Sequence, residues 1–331
     1  MAAKKAAKPL RRKTLLREKE LCLVTGSSNP KLAQNIAKLL GTKLADVKIS
    51  RFSDGELRVD IAESIRGTDV FIIQPTSPPV NENLMELLIM MDAMRRASAR
   101  LISVVMPYYG YSRQDKKLNP REPITAKLVA NLLEATYVKR LLVMDLHAAS
   151  IQGFFNIPVD HLSSLPIVVS HFKAWGLGGE DTCIVSPDVG GVVRARNVAE
   201  RLNSPLAIIS KRRPRPNVSE MTEIIGSVKG KKCLMIDDMA DTAGTLCNGA
   251  KMLMNFGAKE VRAFCTHGIL SGGAVEWIQD SMLKELIITD TIPRPDGSDG
   301  KKIKVVSVAT VFAEAIKRAF EEKSISELFK A

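Results

Sequence analysis

The chain has 331 residues, of which 45% are hydrophobic and 25% charged, as is typical of a globular protein large enough for two domains. Its apolar runs are shorter than the roughly 18 residues of a membrane span, so we expect no association with a membrane. The five cysteines show no paired spacing. They indicate reduced thiols and a cytoplasmic location, and neither a zinc site nor a disulfide framework.

The formal net charge of +12 is concentrated near the amino terminus. Residues 1–20 contain eight lysines and arginines against two acids, Glu18 and Glu20. This composition predicts a basic, solvated tail without a folded core. A short organellar presequence is the alternative interpretation.

From Leu21 onward, short apolar runs alternate with amphipathic patterns. In the first half, the predicted strands are 21–25, 70–74, 101–106 and 140–146, and the predicted helices are 30–40, 83–96 and 124–135. In the second half, the predicted strands are 182–185, 206–210, 232–236, 261–265, 286–288 and 303–308, and the predicted helices are 167–175, 193–202, 245–256, 273–281 and 311–319. This alternation predicts an α/β fold with two mainly parallel sheets flanked by helices. We place the two domains at 21–165 and 166–331.

The most informative motif follows the apolar run 233–236. Asp237 and Asp238 are expected at the carboxyl end of a buried strand, where open α/β sheets bind ligands, and can accept hydrogen bonds from sugar hydroxyls. The loop that comes next offers backbone N–H groups, hydroxyls and a helix N-terminus to a phosphate. That loop consists of Asp241, Thr242, Ala243, Gly244 and Thr245. The motif predicts a phosphorylated sugar; a plain strand end with Asp241 as helix N-cap is the alternative.

Two further segments have residues suited to a nucleotide. Phe52 could stack on a purine while Asp54 or Glu56 accepts from the exocyclic amine. Arg113, followed by Gln114, is a planar cation that could hold a polyphosphate or stack on a base. Taken alone, each segment is typical of an exposed turn. The sequence lacks both the Gly-x-Gly-x-x-Gly and the Walker motif, which excludes a dinucleotide-type fold and a Walker-type kinase.

A histidine and an aspartate follow two other predicted strands. His147 is a candidate ligand or general acid. Asp188 precedes Gly190 and Gly191, whose backbone allows an anion to approach closely, and its carboxylate suits an oxygen-preferring cation. A structural histidine and a simple tight turn are the alternatives.

A basic segment, 211–216, follows the predicted strand 206–210 and includes Lys211 and Arg213. Its composition is typical of an exposed basic loop or of a nucleic-acid patch. Aromatic residues make up only 5% of the chain, which leaves little for base stacking. We therefore expect no nucleic-acid partner.

Together these segments resemble the ribose-phosphate pyrophosphokinases, from about residue 21 to residue 329. The run 237–245 resembles the sugar-phosphate loop that this family shares with type I phosphoribosyltransferases, and the segments around Phe52 and Arg113 resemble its ATP site. The resemblance implies two domains of type I phosphoribosyltransferase-like fold. It also implies transfer of the β,γ-diphosphoryl group of Mg-ATP to the C1 hydroxyl of ribose 5-phosphate, with release of AMP, for nucleotide biosynthesis.

The resemblance also implies roles for single residues. His147 and Asp188 match residues that contact the nucleotide-bound Mg²⁺, and Lys211 and Arg213 match residues of a mobile loop that stabilise the transferring phosphoryl charge. The family further implies dimers that assemble into a hexamer. Its ATP site then combines the Phe52 segment of one subunit with Arg113 of the neighbouring subunit.

A regulatory site for ADP and phosphate at subunit contacts is also implied. The matching positions that keep the expected residue type are Ser64, Arg66, Arg121 and Gln152. Ala149, however, stands where the family usually has serine, and His161 where it usually has asparagine. Because both changes alter a hydrogen-bond donor to phosphate, we expect weakened ADP inhibition, with phosphate as a candidate activator.

Two other functions fit part of the pattern. A phosphoribosyltransferase that consumes the diphosphate would share the loop 237–245 but would not need the segments around Phe52 and Arg113. A catalytically silent regulatory subunit would resemble the whole chain. Retention of Lys211, Arg213 and His147 argues against the second alternative.

Overall fold

The structure is a computed structural model that describes residues 19–212, 221–294 and 300–329. Most of the basic tail predicted over 1–20 therefore lies outside the described residues. The strands of the first half are β1 (Leu21–Thr25), β2 (Val47–Arg51), β3 (Leu57–Ile61), β4 (Asp69–Ile73), β5 (Leu101–Met106), β6 (Arg140–Met144) and β7 (Val159–Leu162). The helices of this half are α1 (Pro30–Leu39), α2 (Val80–Arg96) and α3 (Thr125–Ala135).

The second half continues the alternation of strands and helices. Its strands are β8 (Thr182–Ser186), β9 (Leu206–Arg212), β10 (Met221–Ile225), β11 (Lys232–Ala240), β12 (Glu260–Gly268), β13 (Glu285–Thr289) and β14 (Ile303–Val306). Its helices are α4 (Leu165–Ala174), α5 (Val192–Leu202), α6 (Gly244–Asn255), α7 (Ala274–Asp280) and α8 (Ala309–Phe320). None of the helices in the described ranges is both long enough and apolar enough to cross a bilayer.

Two mainly parallel sheets organise these elements. The first has the order β1-β4-β5-β6-β7 and is parallel throughout. The second has the order β10-β9-β8-β11-β12-β13-β14, in which the β9–β10 pair is antiparallel and the other pairs are parallel. Apolar side chains bury both faces of each sheet against helices, as parallel sheets require.

The last helix, α8, follows the strands of the second sheet in the chain but packs on the first sheet. Phe312 and Ile316 of α8 are fully buried in one cluster with Leu32 and Ile36 of α1, on a face of the first sheet. Since α8 contacts the first sheet's core, the segment that we assigned to the second domain also stabilises the first. The two halves of the chain are thus joined by packing as well as by the polypeptide.

The α/β architecture predicted from the sequence is confirmed, and several predicted details are wrong. The predicted end of a strand at 236 is wrong because β11 continues to Ala240 alongside β12, with Asp237 opposite Cys265 and Met239 opposite His267. The strand predicted to end at 210 also continues, so Lys211 lies in β9 opposite Thr222 and not in a loop. Four short strands, β2, β3, β7 and β10, were not predicted.

Candidate functional site

A cleft of about 800 Å³ opens where the carboxyl ends of strands from both sheets face each other. Each half of the chain contributes to its walls. The lining includes residues of four predicted segments, namely Arg113, His147, Asp188 and the acidic run with its loop (Asp237, Asp238, Asp241, Thr242, Ala243, Gly244 and Thr245). The structure thus brings together residues that are up to 132 positions apart in the chain, from Arg113 to Thr245.

The two adjacent acids share one guanidinium group. Nη1 of Arg194 lies 3.4 Å from Oδ1 of Asp237 and 3.3 Å from Oδ1 of Asp238. Burial and the charge of Asp238 raise the pKa of Asp237. Burial would also raise the pKa of Asp238, but the hydrogen bond with His147 and the charge of Arg194 outweigh burial and lower it. The pKa values of the two adjacent carboxyls are thus shifted in opposite directions.

His147 lies at the end of a strand of the first sheet and contacts an acid of the second sheet. It follows β6, and its Nδ1 lies 2.8 Å from Oδ2 of Asp238. This hydrogen bond raises the pKa of His147. When Nδ1 carries a proton toward Asp238, the lone pair of a neutral imidazole is on Nε2.

The loop 241–245 has the conformation of an anion-binding helix start. Ala243 is the N-cap of α6 and has a left-handed φ of +63°, which costs on the order of 1–3 kcal/mol in a residue other than glycine. Gly244 is the first helical residue, so the helix N-terminus points its N–H groups toward this loop. Such strain in a loop that borders a cleft is typical of a binding site.

An ion pair joins this loop to the first half of the chain. Nη1 of Arg113 lies 2.7 Å from Oδ2 of Asp241. Burial would raise the pKa of Asp241, but hydrogen bonds from Ser271 and Arg113 outweigh this effect and lower it. Both partners line the cleft, so the pair stands at the place where a phosphorylated ligand would enter.

A glycine loop forms the opposite wall, between β8 and α5. The Ser186 hydroxyl donates to the Asp188 carbonyl at 2.7 Å, and the N–H of Gly191 donates to Oδ1 of Asp188 at 2.9 Å. A Cβ on Gly191 would lie only 3.0 Å from the Ser186 Oγ, so a larger residue would disturb this turn. The turn holds the Asp188 carboxylate at the edge of the cleft.

The donor set of the cleft fits a divalent cation that is shared with a ligand. A histidine that ligates a metal usually donates its other ring N–H to a carboxylate, which is the arrangement of His147 and Asp238. Across the described residues, no three His, Cys, Asp or Glu side chains are arranged to hold a metal by themselves. Mg²⁺ typically takes one or two protein ligands and completes its shell with substrate phosphates and water.

The Phe52 segment lies at the turn of the β2–β3 hairpin. There the N–H of Phe52 donates to the Glu56 carbonyl at 2.9 Å, and Phe52 is 52% exposed. The described lining of the cleft does not include Phe52, Asp54, Glu56 or Gln114. Of the five predicted nucleotide-binding residues, the described lining of the cleft in one chain therefore includes Arg113 and not the other four.

The remaining predicted residues fall into two groups. Arg213 lies outside the described residues, and for Lys211 only the position of its backbone in β9 is described. The predicted regulatory residues do not line the described part of the cleft. Of these, Gln152 contacts His161 (Nε2 to Nδ1, 3.2 Å), and the exposed ones are Ser64, Arg66 and Arg121.

The lining of the cleft also includes a cation that was not predicted from the sequence. Arg194 comes six positions after Asp188 and four after Gly190, on the first turn of α5. The sequence does contain a signal for Arg194. A helix that begins directly after a glycine turn directs its first side chains toward the ends of the same strands. The sequence does not show that Arg194 reaches the acids of β11, since β8 and β11 are neighbours only in the folded sheet.

Comparison with known proteins narrows the class of this α/β protein. The model of the N-terminal domain of ribose phosphate pyrophosphokinase matches residues 21–136, and that of the phosphoribosyl synthetase-associated domain matches residues 187–330. The ribose-phosphate pyrophosphokinase of Caldanaerobacter subterraneus is 58% identical over 309 residues, 93% of this chain and 98% of that protein. The corresponding protein of Bacillus caldolyticus is 56% identical over 310 residues, 94% of this chain and 98% of that protein.

A solved structure agrees with these sequence matches. The crystal structure of phosphoribosylpyrophosphate synthetase from Mycobacterium smegmatis superposes with a TM-score of 0.86 at 39% identity, over 92% of this chain and 100% of that chain. The chain belongs to the ribose-phosphate pyrophosphokinase family. The family resemblance inferred from the motifs is thereby confirmed.

Proposed function

We propose that this protein is a ribose-phosphate diphosphokinase that makes 5-phospho-α-D-ribose 1-diphosphate and AMP from ATP and ribose 5-phosphate. One observation carries the proposal: a phosphate-type loop, a pair of adjacent acids and a glycine turn meet in a single cleft. Family membership over more than nine-tenths of the chain supports the same reaction.

Ribose 5-phosphate binds with its phosphate on the loop 241–245, where backbone N–H groups and the helix N-terminus attract the anion. Asp237 accepts hydrogen bonds from the sugar hydroxyls, and Asp238 positions His147 and Arg194. This orientation presents the C1 hydroxyl to the middle of the cleft. Its oxygen forms a bond to the β-phosphorus of ATP and loses its proton, while the bond from that phosphorus to the oxygen of AMP breaks.

The transferring group carries several negative charges, so the protein needs mainly cations and fixed geometry. Arg113 and Arg194 line the cleft from its two sides. Lys211 and Arg213 are proposed to supply further positive charge, as the family resemblance of the segment 211–216 implies. In that family the matching loop excludes water, which otherwise hydrolyses ATP without product.

Mg²⁺ is the cofactor of this proposal. Bound with the nucleotide, it neutralises phosphate charge and makes the β-phosphorus a better electrophile. His147 and Asp188 are the residues that would hold it, together with ligand oxygens. The protein's own contribution is to fix both donors, through Asp238 in one case and the Gly191 N–H in the other.

The nucleotide base is held between two subunits in this proposal. Arg113 comes from the subunit that binds the sugar, and Phe52, Asp54 and Glu56 come from its neighbour, with Gln114 beside Arg113. The hairpin turn supports this assignment because it presents an exposed aromatic ring outside its own chain's cleft. Assembly into dimers and a hexamer, and a cytoplasmic location, remain predictions from the sequence.

Regulation is proposed to differ from the family pattern. Nε2 of His161 accepts the N–H of Leu146 at 2.9 Å, and its Nδ1 faces Gln152. Since Nε2 accepts this hydrogen bond, the proton of a neutral His161 ring is on Nδ1, which faces Gln152, so the donor that asparagine would offer is altered. Weakened ADP inhibition, with phosphate as an activator, follows from this change and from Ala149.

A product assay tests the proposed reaction. Purified protein is incubated with ATP, MgCl₂ and ribose 5-phosphate, with and without inorganic phosphate, and AMP is measured. We expect AMP and the sugar diphosphate in equal amounts, and neither product when ribose 5-phosphate is omitted. Consumption of added sugar diphosphate with a nucleobase, without AMP formation from ATP, would instead identify a phosphoribosyltransferase.

A further inference from the structure

The loop 241–245 rests against a tryptophan that no sequence motif indicated. Trp277 lies on α7, and a Cβ built on Gly244 would be 3.2 Å from its Cη2 and 3.3 Å from its Cζ3. The six-membered ring of the indole therefore covers Gly244 at contact distance. The same Cβ would be 3.8 Å from the Oγ1 of Thr242, so ring and hydroxyl lie on the same side of the loop.

This loop needs external support because it contains a left-handed alanine, Ala243. Its beginning is fixed by two backbone hydrogen bonds, from Leu270 to the Ala240 carbonyl and from Ser271 to the Asp241 carbonyl, each 3.0 Å long. Trp277 contacts the other end, where the loop becomes α6. Backbone strain persists only where the surroundings hold it, and the indole is part of those surroundings.

The burial of α7 depends mainly on two residues other than Trp277. The helix is anchored by Ala274 and Ile278, which are 1% and 0% exposed. Trp277 itself is 45% exposed, although it is the largest side chain on the helix. The part of the indole that is covered lies against Gly244, at the end of the loop.

We propose that Trp277 is a positioning residue for the sugar phosphate. Its indole holds the backbone of 242–244 in the conformation whose N–H groups converge on the 5-phosphate, and shields one side of the loop from water. The identity of the ligand as ribose 5-phosphate rests on the proposed function. The prediction specific to Trp277 is that it affects binding of the sugar phosphate and not of ATP.

Trp175 provides a matched control. It is the other of the two tryptophans in the chain and is 38% exposed, which is close to the exposure of Trp277. Its ring contacts His171 at 4.2 Å between centroids and lies 4.9 Å from the Arg262 guanidinium carbon. Loss of either indole removes a similar half-exposed ring, but only one of them touches the loop.

Steady-state kinetics test the proposal. For Trp277→Ala we expect the KM for ribose 5-phosphate to rise on the order of tenfold, because the loop loses its preorganised conformation, with kcat and the KM for ATP within about twofold of wild type. Trp277→Phe keeps an aromatic ring beside the loop but lacks the Cη2–Cζ3 edge that touches Gly244, so it should restore the KM only in part. Trp175→Ala should leave the KM unchanged. An unchanged KM in Trp277→Ala, or equal losses for both substrates, would overturn the proposal.

Fluorescence gives a readout that does not require turnover. In Trp175→Phe, Trp277 is the single fluorescent indole, and titration with ribose 5-phosphate should change its emission with the same half-saturation as a direct binding measurement. Saturable binding without any change in Trp277 emission would count against the inference. If wild type binds ribose 5-phosphate but releases no AMP from ATP, the proposed function fails while this inference is still decided by binding and emission.

Discussion

Arg194 contacts two adjacent carboxylates of one strand at once, the half-buried Asp237 and the buried Asp238. We expect Arg194→Leu to reduce kcat/KM for ribose 5-phosphate by about 10- to 100-fold, because the loss of one partner leaves buried charge uncompensated. Arg194→Lys should recover part of the loss, since lysine keeps the charge without the fork. The exposed Arg196 of the same helix is the control, and an equal loss in Arg196→Leu would contradict this role.

The hydrogen bond between His147 and Asp238 has a measurable pH dependence. Because it raises the pKa of His147 above the ordinary 6.5, protonated His147 stabilises the folded protein. This contribution is complete below about pH 6.5 and is lost as the pH rises through the folded-state pKa. NMR titration of metal-free protein should show this raised pKa, and a lower one in Asp238→Asn. Identical titration curves for the two proteins would refute the assignment.

The proposed role of Lys211 is to supply positive charge to the transferring group. We expect Lys211→Ala to lose roughly 10²- to 10³-fold in kcat, about 3–4 kcal/mol, as for the loss of one preorganised charge-stabilising group. The exposed Lys229 provides the control substitution. Near-normal turnover of purified Lys211→Ala would remove Lys211 from its proposed role.

At the scale of elements, the sequence predicts the helices and strands well where an apolar run or an amphipathic pattern is long. The strands β1 and β5 were predicted with their observed bounds. The end of β11 was not, because Asp237 and Asp238 are poor strand formers and only pairing with β12 keeps them extended. The β2–β3 hairpin was missed although Val47, Ile49 and Val59 alternate with polar residues, which is the period of a half-buried strand.

This hairpin permits a prediction about the nucleotide. Phe52→Ala should raise the KM for ATP by about tenfold while the thermal midpoint stays within roughly 1–2 °C, because an exposed ring contributes little to the core. Phe256 is also 52% exposed and lies outside the described lining of the cleft, so Phe256→Ala is the matched control. A large drop of the midpoint in Phe52→Ala would identify the ring as structural instead.

At the scale of the whole molecule, a buried polar network and a returning helix join the two halves. Asp145, directly after β6, accepts hydrogen bonds from Ser164 at 3.0 Å and from the hydroxyl of Thr266 in β12 at 2.6 Å. His267 lies with its Nε2 3.2 Å from the Asp145 carbonyl. The sequence could not predict these contacts, because they depend on how two sheets that are separate in the chain face each other.

The return of α8 to the first sheet predicts coupled stability. Phe312 is fully buried beside α1, so Phe312→Ala should lower the free energy of unfolding by about 3–5 kcal/mol. Urea denaturation measures this change, and Lys317→Ala on the exposed side of the same helix should leave stability within about 0.5 kcal/mol. A loss below about 1 kcal/mol in Phe312→Ala would mean that α8 docks only loosely.

The ion pair between Arg113 and Asp241 spans the cleft from one half of the chain to the other. A ligand phosphate that attracts the guanidinium also releases the carboxylate, so the first molecule to enter bears the cost of separating them. The second molecule meets partners that are already apart. We therefore expect binding of either substrate to tighten the affinity for the other, as a reciprocal cooperativity within one subunit.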